Sequence, residues 1–114
     1  MKKDVEKESI LIDLLGNYPL IRVLNFLIEN EGFDYTKREI AKHAKVSMNT
    51  LLSFWDNLIE AGIIVPTRKI GKSRLYKLNT DNRVVQILIE FDKKLGLLCL
   101  EEEAKRQGEV NGND

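Results

Sequence analysis

Along the first third of the chain, apolar residues recur every three to four positions, the spacing of a buried helix face. Val5, Ile10, Leu11, Leu14 and Leu15 mark a first helix from about Asp4 to Leu15, which Gly16-Asn17 closes. Pro19 suits the first turn of a second helix running to about Glu29, with Leu20, Val23, Leu24, Leu27 and Ile28 on its inner stripe. Asn30-Glu31-Gly32 breaks it. Thr36 and Glu39 have capping-box spacing and predict a short helix over about 37–43, with Ile40 and Ala41 inward. Ala44-Lys45-Val46 reads as a turn. Ser47 then caps a longer helix to about Glu60, buried along Leu51, Trp55, Leu58 and Ile59, and Ala61-Gly62 ends it.

After Gly62 the period shortens from helical to extended. Ile63 to Ile70 reads as one strand whose Pro66, lacking an N–H, confines it to an edge or a bulge. Gly71-Lys72-Ser73 is a tight turn, and Arg74 to Leu78 alternates polar and apolar as the returning strand. Asn79-Thr80-Asp81 offers caps for a last helix over about 82–106. The pattern predicts a mainly α fold with a small β-hairpin in one domain over residues 1–107. Residues 108–114 are polar, contain two glycines, and are expected to form a disordered tail.

Composition excludes more than it suggests. Cys99 and His43 are the only cysteine and the only histidine, so no intrachain disulfide and no Cys/His metal cluster can form within one chain. The set of residues needed for a Ser/His/Asp site, a P-loop or a dinucleotide-binding glycine motif is missing, and no enzyme is expected. No cofactor or metal is expected either. Apolar runs are interrupted by charge well before the ~20 residues of a membrane span. The charged start, Met1 to Glu6, does not read as a signal peptide, which points to the cytoplasm.

Formal net charge is zero, but it is unevenly spread. Between Phe33 and Leu78 nine basic residues face four acidic ones, a net +5, whereas the flanking segments carry −2 and −3. A molecule divided this way can be oriented by a polyanion although its charges cancel.

The stretch Lys37 to Ile64, KREIAKHAKVSMNTLLSFWDNLIEAGII, resembles the helix-turn-helix of winged-helix transcription regulators, broadly of the ArsR and MarR kinds. Leu14 to Leu27, LLGNYPLIRVLNFL, is similar to the helix that precedes the motif in ArsR-like regulators. The resemblance covers about residues 14–78 and implies a helix-turn-helix over about 36–62 and a wing over about 63–78. It also implies double-stranded DNA as partner. Ser47, Met48, Asn49, Leu52 and Ser53 would then lie on the base-reading face, with Asn49 placed to pair with adenine and Thr50 near a phosphate. Lys37, Arg38, Lys42 and Lys45, with Arg68, Lys69, Lys72 and Arg74 of the wing, would meet phosphates or the minor groove.

Two departures stand out. Lys45 occupies a turn position usually held by glycine. Ser47 to Glu60 contains no Arg or Lys, so the commonest contact to guanine is ruled out and weaker or A·T-biased recognition is expected. The last helix carries more apolar residues than one face of so small a domain can hide. With the first helix it suggests dimerisation through Ile10, Leu11, Leu14, Ile87, Phe91, Leu95 and Leu98, on an inverted repeat. The competing readings are a winged helix that binds protein and a non-specific architectural DNA binder.

Overall fold

A computed structural model describes residues 10–113, with side chains to Arg106. The elements are α1 (Ile10–Leu15), α2 (Pro19–Glu29), α3 (Lys37–Ala44), α4 (Met48–Glu60), β1 (Ile64–Ile70), β2 (Ser73–Leu78) and α5 (Arg83–Asn113). The expected start of the first helix at Asp4, and Val5 with it, lies outside the described residues. From Ile10 onward the predicted order holds. Helix α5 starts one residue after Asn82, whose Oδ1 accepts the Val84 and Val85 N–H groups at 2.8 and 3.1 Å. Its backbone carries on as helix past the expected end near Arg106, through residues for which a disordered tail is expected from composition. Extending an existing helix requires no new nucleation, and 101–106 are mostly good helix formers.

One core joins all the elements. Leu11, Val23, Leu27, Ile40, Leu51, Ile64, Leu78 and Val85 are almost wholly buried. Trp55 belongs to this core, as its place in the Leu51–Leu58 stripe implied. Ala41 is buried where α3 meets α4, a crossing that a larger side chain would hold apart.

The caps explain the boundaries. At α3, Thr36 Oγ1 accepts the Glu39 N–H at 3.1 Å and Glu39 Oε1 accepts the Thr36 N–H at 2.9 Å, the reciprocal box its spacing predicted. At α4, Ser47 Oγ accepts the Thr50 N–H at 3.1 Å. Helix α4 ends on Gly62 at φ +74, after which the Ile63 N–H reaches back to the Leu58 carbonyl. A Cβ on Gly62 would come within 3.0 Å of the Asn82 amide nitrogen, which itself donates to the Ala61 carbonyl.

The turn between α3 and α4 uses the same device without glycine. Lys45 lies in the left-handed region at φ 60, ψ 45, the unfavourable angle its sequence position implied. The Val46 N–H bonds the Ala41 carbonyl at 2.9 Å. Arg22 of α2 completes the turn. Its Nε donates to the Ala44 carbonyl at 2.9 Å and its Nη2 to the Lys45 carbonyl at 3.1 Å, while Nη1 holds both the carbonyl and the side-chain oxygen of Asn17.

Strands β1 and β2 pair antiparallel in the register Ile64↔Leu78 to Ile70↔Ser73. The pairing shifts between Pro66 and Lys69, so Thr67 and Arg68 together oppose Leu75 as a bulge. Pro66 itself pairs with Tyr76 just before the bulge and meets the expectation through the other condition, since β1 is an edge strand. The opposite edge of β2 is covered by a single residue: Tyr35 and Tyr76 exchange two backbone hydrogen bonds of 2.8 Å each.

Truncating Arg22 should loosen the whole motif. Arg22→Ala is expected to lower stability by about 2 kcal/mol, since it removes the bonds from a charged donor to four acceptors. Arg22→Lys should recover only part of this, because one ammonium cannot reproduce the guanidinium fork. Urea denaturation of the three proteins checks both the size of the effect and its order.

Candidate nucleic-acid interface

The N-terminal ends of α3 and α4 and the hairpin converge on one shallow groove of about 250 Å³, lined by Thr36, Lys37, Arg38, Met48, Ser73, Arg74 and Tyr76. On α4, Met48, Asn49, Leu52 and Ser53 are exposed, as a reading face requires. The Asn49 amide makes no hydrogen bond within the described residues, so both its donor and its acceptor are free for a partner. The two serines are different. Ser47 Oγ caps α4 and donates to Thr50 Oγ1 at 2.9 Å, and Ser53 Oγ donates to the Thr50 carbonyl at 2.6 Å. Both hydroxyls, and that of half-buried Thr50, are engaged locally.

The basic residues also divide. Arg38, Lys42, Lys45, Lys69, Lys72 and Arg74 are exposed and none forms an ion pair among the described residues. Arg38 and Lys42 are four apart on α3 and share a face. Lys37 is half-buried, its ammonium 5.5 Å from the centroid of Trp55 and 5.9 Å from that of Tyr76. Those two rings meet edge to face at 4.9 Å. Lys37 thus covers the aromatic joint between α4 and the hairpin.

Arg68 does not project as a free wing cation. Its Nε and Nη2 donate to the two carboxylate oxygens of Asp34 at 2.9 and 3.1 Å, and Thr67 Oγ1 donates to Asp34 Oδ2 at 2.6 Å. These hydrogen bonds, from Arg68 first and Thr67 second, hold the Asp34 carboxyl well below its ordinary range, at about 2. The bulge directs both consecutive residues to one carboxylate, where a regular strand would send them to opposite faces.

Residues that sequence reasoning missed are those acting at long range: Arg22, Asp34 and Tyr35. Only the one-residue offset of Asp34 from Tyr35 ties it to the sheet, and no local spacing signals its partner 34 positions away. His43, expected near solvent at the end of its helix, is exposed and stacks on Phe26 with centroids 5.1 Å apart and planes at 5°. It borders a cleft of about 610 Å³ with Arg22, Asn25 and Phe26.

Of the residues expected at a dimer contact, Leu11 is taken up by the chain's own core, at 1% exposure. Ile10 and Leu95 are half-buried, and Leu14, Ile87, Phe91 and Leu98 stay exposed. No helix among the described residues is long and apolar enough to cross a membrane.

No protein-family profile and no curated protein matches the chain. Solved structures do share its fold. They include MepR, a transcription regulator of the Staphylococcus aureus multidrug efflux pump MepA, at 15% identity and TM-score 0.60 over 96% of this chain and 84% of that one. A MarR family transcriptional regulator from Silicibacter pomeroyi aligns at 15% identity and TM-score 0.55 over 97% and 90%. HlyU from Vibrio cholerae aligns at 21% and TM-score 0.54 over 83% and 97%. The fold is the winged helix-turn-helix of transcription regulators, MarR-type regulators among them. The resemblance read from residues 14–78 extends over most of the chain.

The Asp34–Arg68 pair should be visible in acid. With the Asp34 pKa depressed from 3.8 to about 2, its stabilising effect is complete above pH 3.8 and is lost as pH falls towards about 2. In Asp34→Asn that part of the acid limb should flatten. Urea denaturation of both proteins between pH 2 and 6 checks this, and superimposable acid limbs would mean the pair contributes nothing in solution.

Proposed function

We propose that the chain is a DNA-binding transcription regulator acting as a homodimer on an inverted repeat. The observation that carries the reading is the composition of one face. The N-terminal end of α4 presents an uncommitted Asn49 beside Met48, whose groove is also lined by the unpaired cations Arg38 and Arg74, and Lys69 and Lys72 are exposed on the same hairpin as Arg74. Cations bracketing a helix end suit phosphates on either side of a major groove, with the side chains at that end directed to base edges. The helix N-terminus adds its own positive dipole end.

Asn49 would read adenine, and Met48 and Leu52 the thymine methyls. Arg38, Lys42, Lys45, Lys69, Lys72 and Arg74 would hold phosphates, with Lys37 and Arg68 bracing the hairpin that carries the wing cations. The likeness to solved transcription regulators supports the same reading. Dimerisation rests on one side of α5, where helical spacing brings Val84, Ile87, Phe91 and Leu98 together and all four are exposed. A second copy covering that face would set two α4 helices about one DNA turn apart.

Selection from random duplexes tests the reading directly: a dimeric reader enriches an A·T-rich inverted repeat, and a protein-interaction domain retains no DNA even at low salt. Retention without enrichment, abolished at moderate salt, would identify an architectural binder. On the enriched duplex, Lys72→Ala with Arg74→Ala should weaken binding uniformly across sequences and reduce the salt slope by about 2, one for each phosphate no longer neutralised. Unchanged affinity would remove the wing from the interface. Ile87→Glu places a charge on the exposed face of α5 and should shift a dimer towards monomer in sedimentation velocity, while a wild-type chain that already sediments as a monomer would refute the dimer.

A further inference from the structure

The wing tip carries an apolar residue where its surroundings are cationic. From Thr67 to Arg74 there is no acidic residue, and every residue is exposed. Ile70 is 56% exposed, between Lys69 and the Gly71-Lys72 turn. The turn is tight: Ile70 pairs with Ser73, Gly71 has φ +62, and Lys72 is not in the positive region. That is the pattern of a two-residue hairpin with glycine at its first central position. The tip has nothing to pack against, for even a Cβ placed on Gly71 would meet no atom within 4 Å.

The base of the wing sharpens the point. A basic hairpin commonly offers an arginine to a narrow minor groove. Here Arg68 is fastened to Asp34 through both carboxylate oxygens, at the bulge and away from the tip. The free cations at the end of the hairpin are Lys69, Lys72 and Arg74, which pairs with Lys69 one position back from the turn, and Ile70 is the apolar residue among them. Ile70 also differs from the other exposed large apolar residues, which among the described residues lie on α1, α2, α5, the connecting loops or the reading face of α4.

Resting on the DNA-binding reading above, we infer that Ile70 is a minor-groove reader, which accepts A·T and rejects G·C pairs beneath the wing tip. The floor of the minor groove at A·T presents the adenine N3 and thymine O2 acceptors, while G·C adds the guanine N2 amino donor. A sec-butyl side chain has no acceptor for that amino group. Pressed over it, Ile70 would strip its water and return nothing, the penalty of an unsatisfied buried donor. Over A·T the same side chain lies on carbon, and the ammonium groups of Lys69 and Lys72 are available to the flanking acceptors. Apolar wedges among basic residues are a recurring means of contacting this groove.

The test uses the duplex recovered by selection, with the pairs under the wing located by hydroxyl-radical protection. Those pairs are made A·T, G·C or inosine·C in three otherwise identical duplexes. Inosine lacks the N2 amino group, so inosine·C keeps the major-groove pattern of G·C and the minor-groove pattern of A·T. Wild-type protein should bind the G·C duplex roughly tenfold more weakly than the A·T duplex, the effect of one mismatched pair, and the inosine·C duplex within about twofold of the A·T duplex. Ile70→Ala, at an exposed site where folding is unaffected, should bind A·T and G·C alike. Inosine·C bound as weakly as G·C would overturn the inference, as would Ile70→Ala retaining the full discrimination. Wild-type failure to bind any of the three duplexes would instead overturn the regulator reading, and this inference with it.

Discussion

The left-handed turn at Lys45 is the constraint on which the helix-turn-helix depends. An L-residue in that conformation is disfavoured by roughly 1–2 kcal/mol, so the surrounding structure must hold it there. Part of the hold is local, through the Val46 N–H on the Ala41 carbonyl. The remainder is Arg22. Because α4 starts afresh at Met48, the Ala44 and Lys45 carbonyls are not taken up by the next helix, and one guanidinium from α2 accepts the task for both. The same guanidinium grips Asn17 in the loop after α1. The angle at which α4 leaves the turn is therefore fixed by a side chain on the helix before the motif, as well as by the three residues between α3 and α4.

The hairpin is set by a second chain of dependence that runs through Tyr76. Its backbone is bonded to Tyr35, its ring packs on Trp55 of α4, and Lys37 lies over both rings. Tyr35 in turn places Asp34 beside the bulge of β1, where it collects Thr67 and Arg68. Helix α4 and the hairpin are thus joined by an aromatic pair, and the hairpin is braced by an ion pair. In that arrangement Lys37 and Arg68 are structural, and the remaining wing and turn cations are left outward.

How much of this was legible follows from the range of each signal. Helix stripes, the Thr36–Glu39 box, the Ser47 cap and the edge position of Pro66 are signalled by residues at most a few positions apart, and all appear in the chain as written. Tyr35 pairs through a single residue, too short to show any alternation. Arg22 and Asp34 act on partners 22 to 34 residues away, and nothing near them in sequence distinguishes a structural charge from a solvated one. Leu11 illustrates a related limit. Its stripe predicts burial, but periodicity does not say whether the covering surface belongs to the same chain or another, and here α5 and α2 of its own chain provide it.

Zero net charge loses its force as an argument against a polyanionic partner once the four acids of the central segment are located. Asp34 is paired with Arg68, and the Glu39 carboxylate is bound to the Thr36 N–H within its capping box. Asp56 and Glu60 sit in the C-terminal half of α4, two or more turns from the end that carries Met48 and Asn49. At that end the groove beside Met48 is lined by Lys37, Arg38 and Arg74 and by no acidic residue. Asp56 does line the neighbouring groove with Lys37 and Arg74, so attraction falls off along the helix. The field is directional: it favours contact at one end of α4 and opposes it at the other, which orients a docked helix without adding to its affinity for any one sequence.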